Sequence, residues 1–391
     1  MNQIEQLLFQ FCPNGVPVER IDNLINYEQP TKYLVASKTY DDRFATPVLT
    51  AGQTFLLGYT SEEHGKYPAS PLSPVIIFDD FTTAYKWVDF EFKVKSSAMK
   101  MLTVKPGAPV SLRYFWYALS TIRIDTSEHT RYWISKFSSI GIPLPPIEVQ
   151  QEIVRILDQF IELDAELEAE LHARKSQYAY LRESLFEKDS SFLSPLYSVA
   201  SIWRGRRFVK DDILPEGVPA IHYGEIYTKF GLAATEAYSY LNPALAAKLR
   251  FASPGDVILV SAGETIEDIG KSFTWLGKQD VVIHDACYGL RSETVDPRYM
   301  VHFFNTHNFR LQLRKYISSS KISAVSTEKL GKVFIPVPSL DRQREVADVL
   351  DSFDRLISDK CFGIPAEINA RRQQYEYYRS KILTFKKLET A

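Results

Sequence analysis

The feature that most constrains this chain is a stretch that occurs twice, half a chain length apart. Residues 142–160, IPLPPIEVQQEIVRILDQF, return as residues 335–353, IPVPSLDRQREVADVLDSF, with eight of the nineteen positions identical. The downstream ends match as well, since residues 173–182 reappear as residues 370–379. An offset of about 193 to 197 residues in a chain of 391 indicates a tandem duplication.

Each copy predicts a long helix. After the proline-rich entry, apolar residues fall at two positions of a seven-residue repeat, a pattern typical of a coiled-coil seam. Asp164 and Arg174 are its polar interruptions, and no Pro or Gly occurs from residue 147 to residue 186. An amphipathic helix of this length cannot bury its stripe alone, and the second copy is the obvious partner. Gly363-Ile364-Pro365 interrupts that copy, so we expect a break there.

The composition, with 45% hydrophobic and 24% charged residues, is that of an ordinary globular protein long enough for two domains. No apolar run approaches the ~20 residues that cross a bilayer, and no signal peptide is evident, so we expect a cytoplasmic protein. Cys12, Cys287 and Cys361 show no CxxC spacing and predict neither disulfides nor a metal site. The net charge of -2 argues against nucleic-acid binding only on average, because residues 147–188 carry five more acidic than basic side chains and the rest of the chain is mildly basic.

The remaining segments read as two diverged globular blocks. Before the first block, Ile4, Leu7, Leu8 and Phe11 predict a short amphipathic helix that packs on the long helices near the C-terminus. In the first block, residues 46–50, 54–57 and 74–78 predict strands and residues 113–119 a buried helix. In the second block, residues 257–260 correspond to the strand at 74–78, and residues 298–304 correspond to the helix at 113–119. The blocks have diverged while the helices have not. This indicates that the two helices keep one common function, whereas the two blocks perform different variants of a second function.

This order of block, proline-entry helix, block and helix resembles the specificity (S) subunits of Type I restriction–modification enzymes, over essentially the whole chain. Residues 145–153 and 366–379 carry the most specific parts of the resemblance. Ser339 stands where the first copy has its second proline, and Ser is a good helix N-cap. The resemblance implies a mixed α/β (α+β) fold, with two target recognition domains related by duplication and two long helices pairing as an antiparallel coiled coil. We place the first domain at 1–146, the central helix at 147–188, the second domain at 189–339 and the distal helix at 340–391.

In that family each recognition domain reads half of a bipartite target on double-stranded DNA, and the helices act as a ruler for the spacer. The resemblance implies two methyltransferase subunits as partners, with restriction subunits as a further option, and S-adenosylmethionine bound by the methyltransferase rather than by this chain. The bases read, the spacer length and the presence of a restriction subunit do not follow from the residues.

Clusters of basic, small polar and aromatic residues are the candidates for DNA contact, because lysines suit phosphates and short polar groups suit base edges. In the first domain they are Thr82, Thr83, Lys93, Lys95, Ser96, Ser97 and Lys100. In the second they are Arg204, Arg206, Arg207, His222, Tyr223, Tyr227, Lys229, Ser320 and Lys321. Any single member is equally well explained as a solvated charge or a core aromatic, so only the clusters carry the prediction.

Two other classes of function stay open from the residues alone. A catalytic chain is weakly supported, since no glycine-rich phosphate loop, HExxH, GxSxG or Asn-Pro-Pro-aromatic motif occurs. His284-Asp285-Ala286-Cys287 is the nearest nucleophile constellation, but it follows an apolar run and favours a structural His and Cys. A scaffold that binds only proteins through its two domains is the other alternative. The prediction is therefore a DNA-recognition and assembly subunit without an active site.

Overall fold

The computed structural model describes residues 3–52, 54–124, 126, 131–318 and 322–388. The chain divides into two compact units, Met1–Glu166 with Asn369–Ala391, and Leu167–Ile368. The division passes through the long helices, so each unit combines one globular block with the helical segments that pack on it.

The first unit is built on two small sheets. Its elements are α1 (Gln3–Phe11), β1 (Val18–Arg20), α2 (Ile21–Leu24), β2 (Ile25–Glu28), β3 (Thr46–Leu49), β4 (Leu56–Thr60), β5 (Val75–Asp79), β6 (Tyr85–Val88), β7 (Lys93–Val94), β8 (Met99–Val104), α3 (Leu112–Leu119), β9 (Gly141–Pro143) and the long helix α4 (Ile147–Lys188). One sheet has the order β2-β8-β5-β6 and the other β4-β3-β7, and β1 pairs with β9. All pairs are antiparallel except β3 with β7.

Alternation along β5 decides how these sheets pack, because successive side chains point to opposite faces. Ile76 and Phe78 join the core that contains α3 and the start of α4, whereas Val75 and Ile77 join the core shared with the second sheet. The strand predicted at residues 54–57 instead begins at Leu56. At the turn of this hairpin, the Thr50 N–H donates to Phe55 O at 2.8 Å.

The second unit repeats the plan with more strands. Its elements are β10 (Leu193–Pro195), α5 (Leu196–Val199), β11 (Ser201–Arg204), β12 (Val218–Ile221), α6 (Tyr223–Thr228), β13 (Ala233–Ala234), β14 (Ser239–Leu241), α7 (Pro243–Ala246), β15 (Phe251–Ala252), β16 (Val257–Val260), β17 (Ala262–Gly263), β18 (Ser272–Trp275), β19 (Val281–Ile283), β20 (Cys287–Arg291), α8 (Pro297–Phe304), α9 (His307–Arg314), β21 (Ser323–Ala324), α10 (Thr327–Gly331), β22 (Phe334–Pro336) and α11 (Leu340–Ser358), followed by α12 (Ile364–Ile382), which continues into the first unit.

The sheets of the second unit have the orders β11-β20-β16-β18-β13 and β14-β12-β19-β15. Apart from the edge strands β13 and β15, these correspond to β2-β8-β5-β6 and β4-β3-β7, with β12 and β19 again parallel. The matched central strands are β5 and β16, and the matched buried helices are α3 and α8. The duplication predicted from the diverged blocks is confirmed at the level of topology.

Within each unit the long helices pack on each other. In the first unit the ring of Phe160 lies 5.7 Å from that of Tyr378, and Asp164 accepts two hydrogen bonds from Arg372 at 2.8 and 3.0 Å. Because the α12 partner number falls as the α4 number rises, α12 runs antiparallel to α4. In the second unit Tyr178 of α4 stacks on Phe353 of α11, with ring centroids 6.5 Å apart.

The predicted break lies between Ser358 and Ile364, where α11 ends and α12 begins. A Cβ placed on Gly363 would come within 2.6 Å of the carbonyl oxygen of Arg355. Only glycine fits this turn without moving backbone, so the residue that interrupted the sequence pattern also closes the end of α11.

A buried glutamine fastens each proline entry to its globular block. Gln150 is fully buried, accepts the Ser111 N–H at 2.9 Å, and donates to the carbonyls of Pro109 and Pro145 at 2.9 and 2.8 Å. Gln343 makes the same three contacts in the second unit, with Asp296 N, Thr294 O and Pro338 O at 2.8, 3.1 and 2.8 Å. Ser111 and Asp296 are the N-caps of α3 and α8, so one side chain joins a helix start to the long helix in each unit.

The N-terminal helix packs where the sequence predicted. Ile4 of α1 is buried in one core with Ile382 and Leu383 at the end of α12. The following turn extends this contact, since the Val16 N–H donates to Lys386 O and Val16 O accepts from the Leu388 N–H, at 2.8 and 3.0 Å. The two ends of the described chain are therefore held together within the first unit.

Candidate nucleic-acid interface

Strand pairing brings separate loops together at one edge of each domain. In the first domain the turn after β5 lies beside the loop that leads into β8, because the Asp80 N–H donates to Ala98 O at 2.9 Å. In the second domain the Ser261 N–H donates to Ala286 O at 2.8 Å in the same way.

The end of a third strand completes each edge. The Lys95 N–H donates to Leu49 O at 3.1 Å, and the His284 N–H donates to Ile221 O at 3.2 Å. Because β3 and β7 are parallel, as are β12 and β19, their C-terminal ends open on the same side. We define the loop edge of the first domain as residues 50–52, 80–83 and 95–98, and that of the second as residues 222–224, 261–265 and 284–286.

The first loop edge gathers most of the residues predicted there. Thr82, Lys95, Ser96 and Ser97 are exposed. The turn is rigid, since Asp79 Oδ1 accepts the N–H groups of residues 81 and 82 at 2.9 and 2.8 Å. Thr83 adopts a φ of 57°, a conformation uncommon for residues other than glycine. Short polar side chains and one lysine are thus presented on fixed backbone.

Lys93 and Lys100 lie inside the domain instead. Lys93 is 5% exposed, and its Nζ lies 2.9 Å from Glu62 Oε2 and 3.0 Å from the carbonyl oxygen of His64. Lys100 is fully buried, with its Nζ 3.0 Å from both Asp80 Oδ2 and Gln29 Oε1. Both ammonium groups already have protein acceptors, so we leave these two lysines out of the proposed interface.

The buried pair of Lys100 with Asp80 holds a residue of the loop edge, whereas the pair of Lys93 with the partly exposed Glu62 lies outside the defined edge. The Ser37 N–H and the Lys93 ammonium hold the pKa of Glu62 below its usual value. Asp80 links the turn to a neighbouring segment, since its Oδ1 accepts the Trp133 N–H at 2.8 Å and its carbonyl accepts the Tyr132 N–H at 2.7 Å. Charge in this domain therefore stabilises the backbone from which the exposed residues project.

A basic groove of about 900 Å³ borders the second loop edge. Its cations are Arg204, Arg207 and Lys210, and all three are exposed. Arg204 is steadied by its Nε, which donates to Asp285 O at 2.6 Å. Arg206 is also exposed but does not line the groove, because its Nη1 donates to Lys248 O at 2.6 Å. Two carboxylates, Glu264 and Asp285, also line the groove, so the three cations leave it a small positive excess that suits a nucleic-acid backbone.

Aromatic rings form the wall of the basic groove. The ring of His222 lies 4.5 Å from that of Tyr223 and 4.9 Å from that of His284. His284 is satisfied internally, with Nε2 3.1 Å from Phe208 O and Nδ1 accepting the Ala286 N–H at 3.1 Å. Burial lowers the pKa of His284, so the ring is neutral at pH 7.

His284 and Cys287 have the structural surroundings that the sequence favoured for them. Cys287 is fully buried in the core between the sheets, and this burial raises the pKa of its thiol. A thiol without access to solvent and with little thiolate at pH 7 is a poor nucleophile.

The other predicted residues of the second domain lie away from the groove lining. Tyr227 and Lys229 are exposed on α6 and its C-cap, and Lys229 pairs with Glu225 at 3.4 Å. Lys271 lies 5.2 Å from the Tyr227 ring. Ser320 and Lys321 fall outside the described residues.

Sequence reasoning missed Thr50 and Lys210, which belong to the loop edge and the groove. A signal for Thr50 exists, since Thr46-Pro47-Val48-Leu49-Thr50 aligns with Val218-Pro219-Ala220-Ile221-His222 on a shared proline. Lys210 carries no such signal.

No described helix is long and apolar enough to span a membrane. No group of three or more His, Cys, Asp or Glu side chains in the described part of the chain is arranged to hold a metal ion.

Comparison with known proteins gives a consistent family. The model of the Type I restriction modification DNA specificity domain matches twice, at residues 33–174 and 193–370. The EcoR124I/EcoR124II specificity subunit of Escherichia coli is 36% identical over 100% of this chain and 98% of its own length. A putative Type I restriction enzyme specificity subunit from Haemophilus influenzae is 26% identical over 85% of this chain and 86% of its own.

Solved structures agree on the fold. The Type I restriction–modification S subunit from M. genitalium superimposes with a TM-score of 0.54 at 14% identity, covering 93% of this chain and 95% of that one. A chain from a study of complex assembly and conformational transition in the type I R-M system gives 0.59 at 16% identity, covering 95% and 98%. Since the domain model matches both globular domains and the full-length alignment spans the whole chain, the protein belongs to the family of Type I restriction–modification specificity subunits.

Proposed function

We propose that each globular domain reads one half of a bipartite DNA target through its loop edge. The main support is that the two loop edges have the same backbone hydrogen bonds but different side chains. Thr82, Lys95, Ser96 and Ser97 occupy the first edge, whereas histidine, tyrosine and arginine occupy or border the second. A constant frame with variable side chains is what two readers of different half-sites require.

Within the second domain, charged residues contact the DNA backbone and neutral polar residues contact the bases. Arg204, Arg207 and Lys210 neutralise phosphates along the basic groove, which sets register and affinity. The ring N–H of His222 and the hydroxyl of Tyr223 belong to residues that line the same groove, and they face base edges. The chain as a whole has a net charge of -2, so DNA binding depends on this clustering rather than on overall charge.

Catalysis resides in partner subunits that this chain positions, as in other specificity subunits. The long helices form the assembly scaffold and act as the ruler between the half-sites. Two methyltransferase subunits bind, one for each half-site, and they supply S-adenosylmethionine and adenine methylation. Two restriction subunits complete the assembly where the cell encodes them. The complex works in the cytoplasm, where the DNA is.

A domain exchange tests the proposal. Residues 13–146 are replaced with the first recognition block of another family member, and the chain is expressed with its methyltransferase partner. Single-molecule sequencing then maps methylated adenines. We expect one half of the target to change and the other half, with the spacer, to stay.

The matched control replaces residues 189–339, and it is expected to change only the other half. A change in both halves after either exchange contradicts two independent readers. Methylation without sequence preference in the unmodified complex contradicts DNA recognition itself and supports a scaffold that binds only proteins.

A further inference from the structure

One position is equivalent in the two loop edges, and in both its side chain accepts a hydrogen bond from the backbone two residues further along the chain. Thr50 follows β3 and His222 follows β12, each directly after the last pair of the parallel register, Leu49 with Val94 and Ile221 with Ile283. Thr50 Oγ1 accepts the Gly52 N–H at 3.3 Å. His222 Nδ1 accepts the Gly224 N–H at the same 3.3 Å. Each side chain therefore folds one acceptor onto its own backbone.

This hydrogen bond leaves one donor free in each domain. With Oγ1 accepting from the turn, the Thr50 hydroxyl hydrogen remains to be donated. With Nδ1 accepting, His222 carries its hydrogen on Nε2. In the part of the chain that the structure describes, neither hydrogen has an acceptor. Burial also lowers the pKa of His222, which keeps the ring in this neutral form at pH 7.

Both donors are held on rigid backbone. The His222 N–H donates to Glu225 Oε2 at 3.0 Å, and Glu225 is itself buried and accepts the Ser239 hydroxyl at 2.8 Å. The ring packs against Tyr223 and His284 on the wall of the basic groove. Thr50 is tied at its N–H to Phe55 O. A donor fixed in this way loses little conformational freedom on binding.

We propose that Thr50 and His222 are specificity-determining residues, each donating one hydrogen bond to an acceptor on a base edge in the half-site that its own domain reads. The inference rests on the proposed function. The acceptors available in the major groove are N7 and O6 of guanine, N7 of adenine and O4 of thymine. A single donor does not separate all four base pairs, so each residue restricts one position of its half-site and leaves the remaining positions to its neighbours.

The test uses the full chain in complex with its methyltransferase subunits. Thr50→Val and His222→Phe keep the side-chain bulk but remove the donor together with the acceptor that binds the turn, and Thr50→Ser retains both as the matched control. Methylated adenines are mapped for each complex. We expect T50V to relax one position in the half-site of the first domain and H222F one position in that of the second, each by about tenfold in discrimination. T50S is expected to keep the wild-type target.

Duplexes lacking one acceptor at a time separate base contact from a structural role. 7-Deazapurines remove N7, 2-aminopurine removes guanine O6, and 5-methyl-2-pyrimidinone removes thymine O4. At one position the wild-type complex should bind about tenfold more weakly, and the matching variant should show no further loss. Equal losses for wild type and variants at every position overturn the assignment, and if the wild-type target is still bipartite they leave the proposed function standing.

Discussion

Replacing either buried glutamine should loosen one domain and spare the other. Gln150→Met keeps the side-chain volume and removes three hydrogen bonds, which leaves the buried Pro145 carbonyl and the partly buried Ser111 N–H and Pro109 carbonyl without these partners. At about 1 kcal/mol or more for each group, the local stability of this junction falls by about 3 kcal/mol. That corresponds to a loss of about 100-fold in protection against amide exchange.

Hydrogen exchange followed by mass spectrometry is the suitable assay, since a chain with two compact units need not unfold in one step. With Q150M, faster exchange is expected in peptides covering residues 109–119 and none in peptides covering residues 294–304. Gln343→Met should give the reverse pattern, because its partners are in the second unit. Gln151→Met, at an exposed neighbouring position, serves as the control.

Either of two results would refute this reasoning. Equal acceleration of both segments by Q150M would mean that the glutamine supports the whole chain rather than one junction. An acceleration below about threefold, similar to that of Q151M, would mean that the three hydrogen bonds contribute little.

Three further outcomes are expected. Replacing Arg204, Arg206 and Arg207 together with Ala should weaken binding to every DNA sequence and reduce the dependence of affinity on salt, with Arg207 contributing more than Arg206. Titrations at several salt concentrations measure this dependence, and an unchanged slope would mean that the cluster does not contact DNA. Inserting four residues within 165–169 adds about 6 Å to α4 and should lengthen the spacer by one or two base pairs with both half-sites unchanged, as methylation mapping would show; an unaltered spacer excludes the helix as a ruler. Because the pKa of Glu62 is lowered in the folded state, its contribution to stability is present above the unfolded carboxyl pKa and is lost as pH falls through the folded pKa. The denaturation curves of wild type and Glu62→Gln should therefore differ near pH 7 and converge on acidification.

Features that depend on neighbouring residues along the chain were predictable. The duplication, the uninterrupted helix over residues 147–188, the break near Gly363 and the packing of the N-terminal helix all follow from periodicity and from the local effects of proline and glycine. Ser339 caps α11 by accepting the Arg342 N–H at 3.4 Å, as its position predicted.

Parts of the interface were not predictable, because the sequence does not state which way a strand residue faces. Lys93 and Lys95 are two residues apart, and alternation would place them on one side of a strand. β7 ends at Val94, so Lys93 points into an ion pair with Glu62 while Lys95 starts an exposed loop. Where a strand ends is decided by its partners.

What the sequence by itself determined is the plan of the protein, two related domains and the helices that join them, since each copy carries its helix signals within about forty residues. What only the tertiary structure decided is which side chains share a surface. Thr50 and Lys95 are 45 positions apart, and Arg204 and His284 are 80 apart, yet each pair meets at one loop edge or groove. Those neighbours are created by pairing between distant strands, and the free energy of that pairing comes from the buried cores on either side of the sheet rather than from the loop residues themselves.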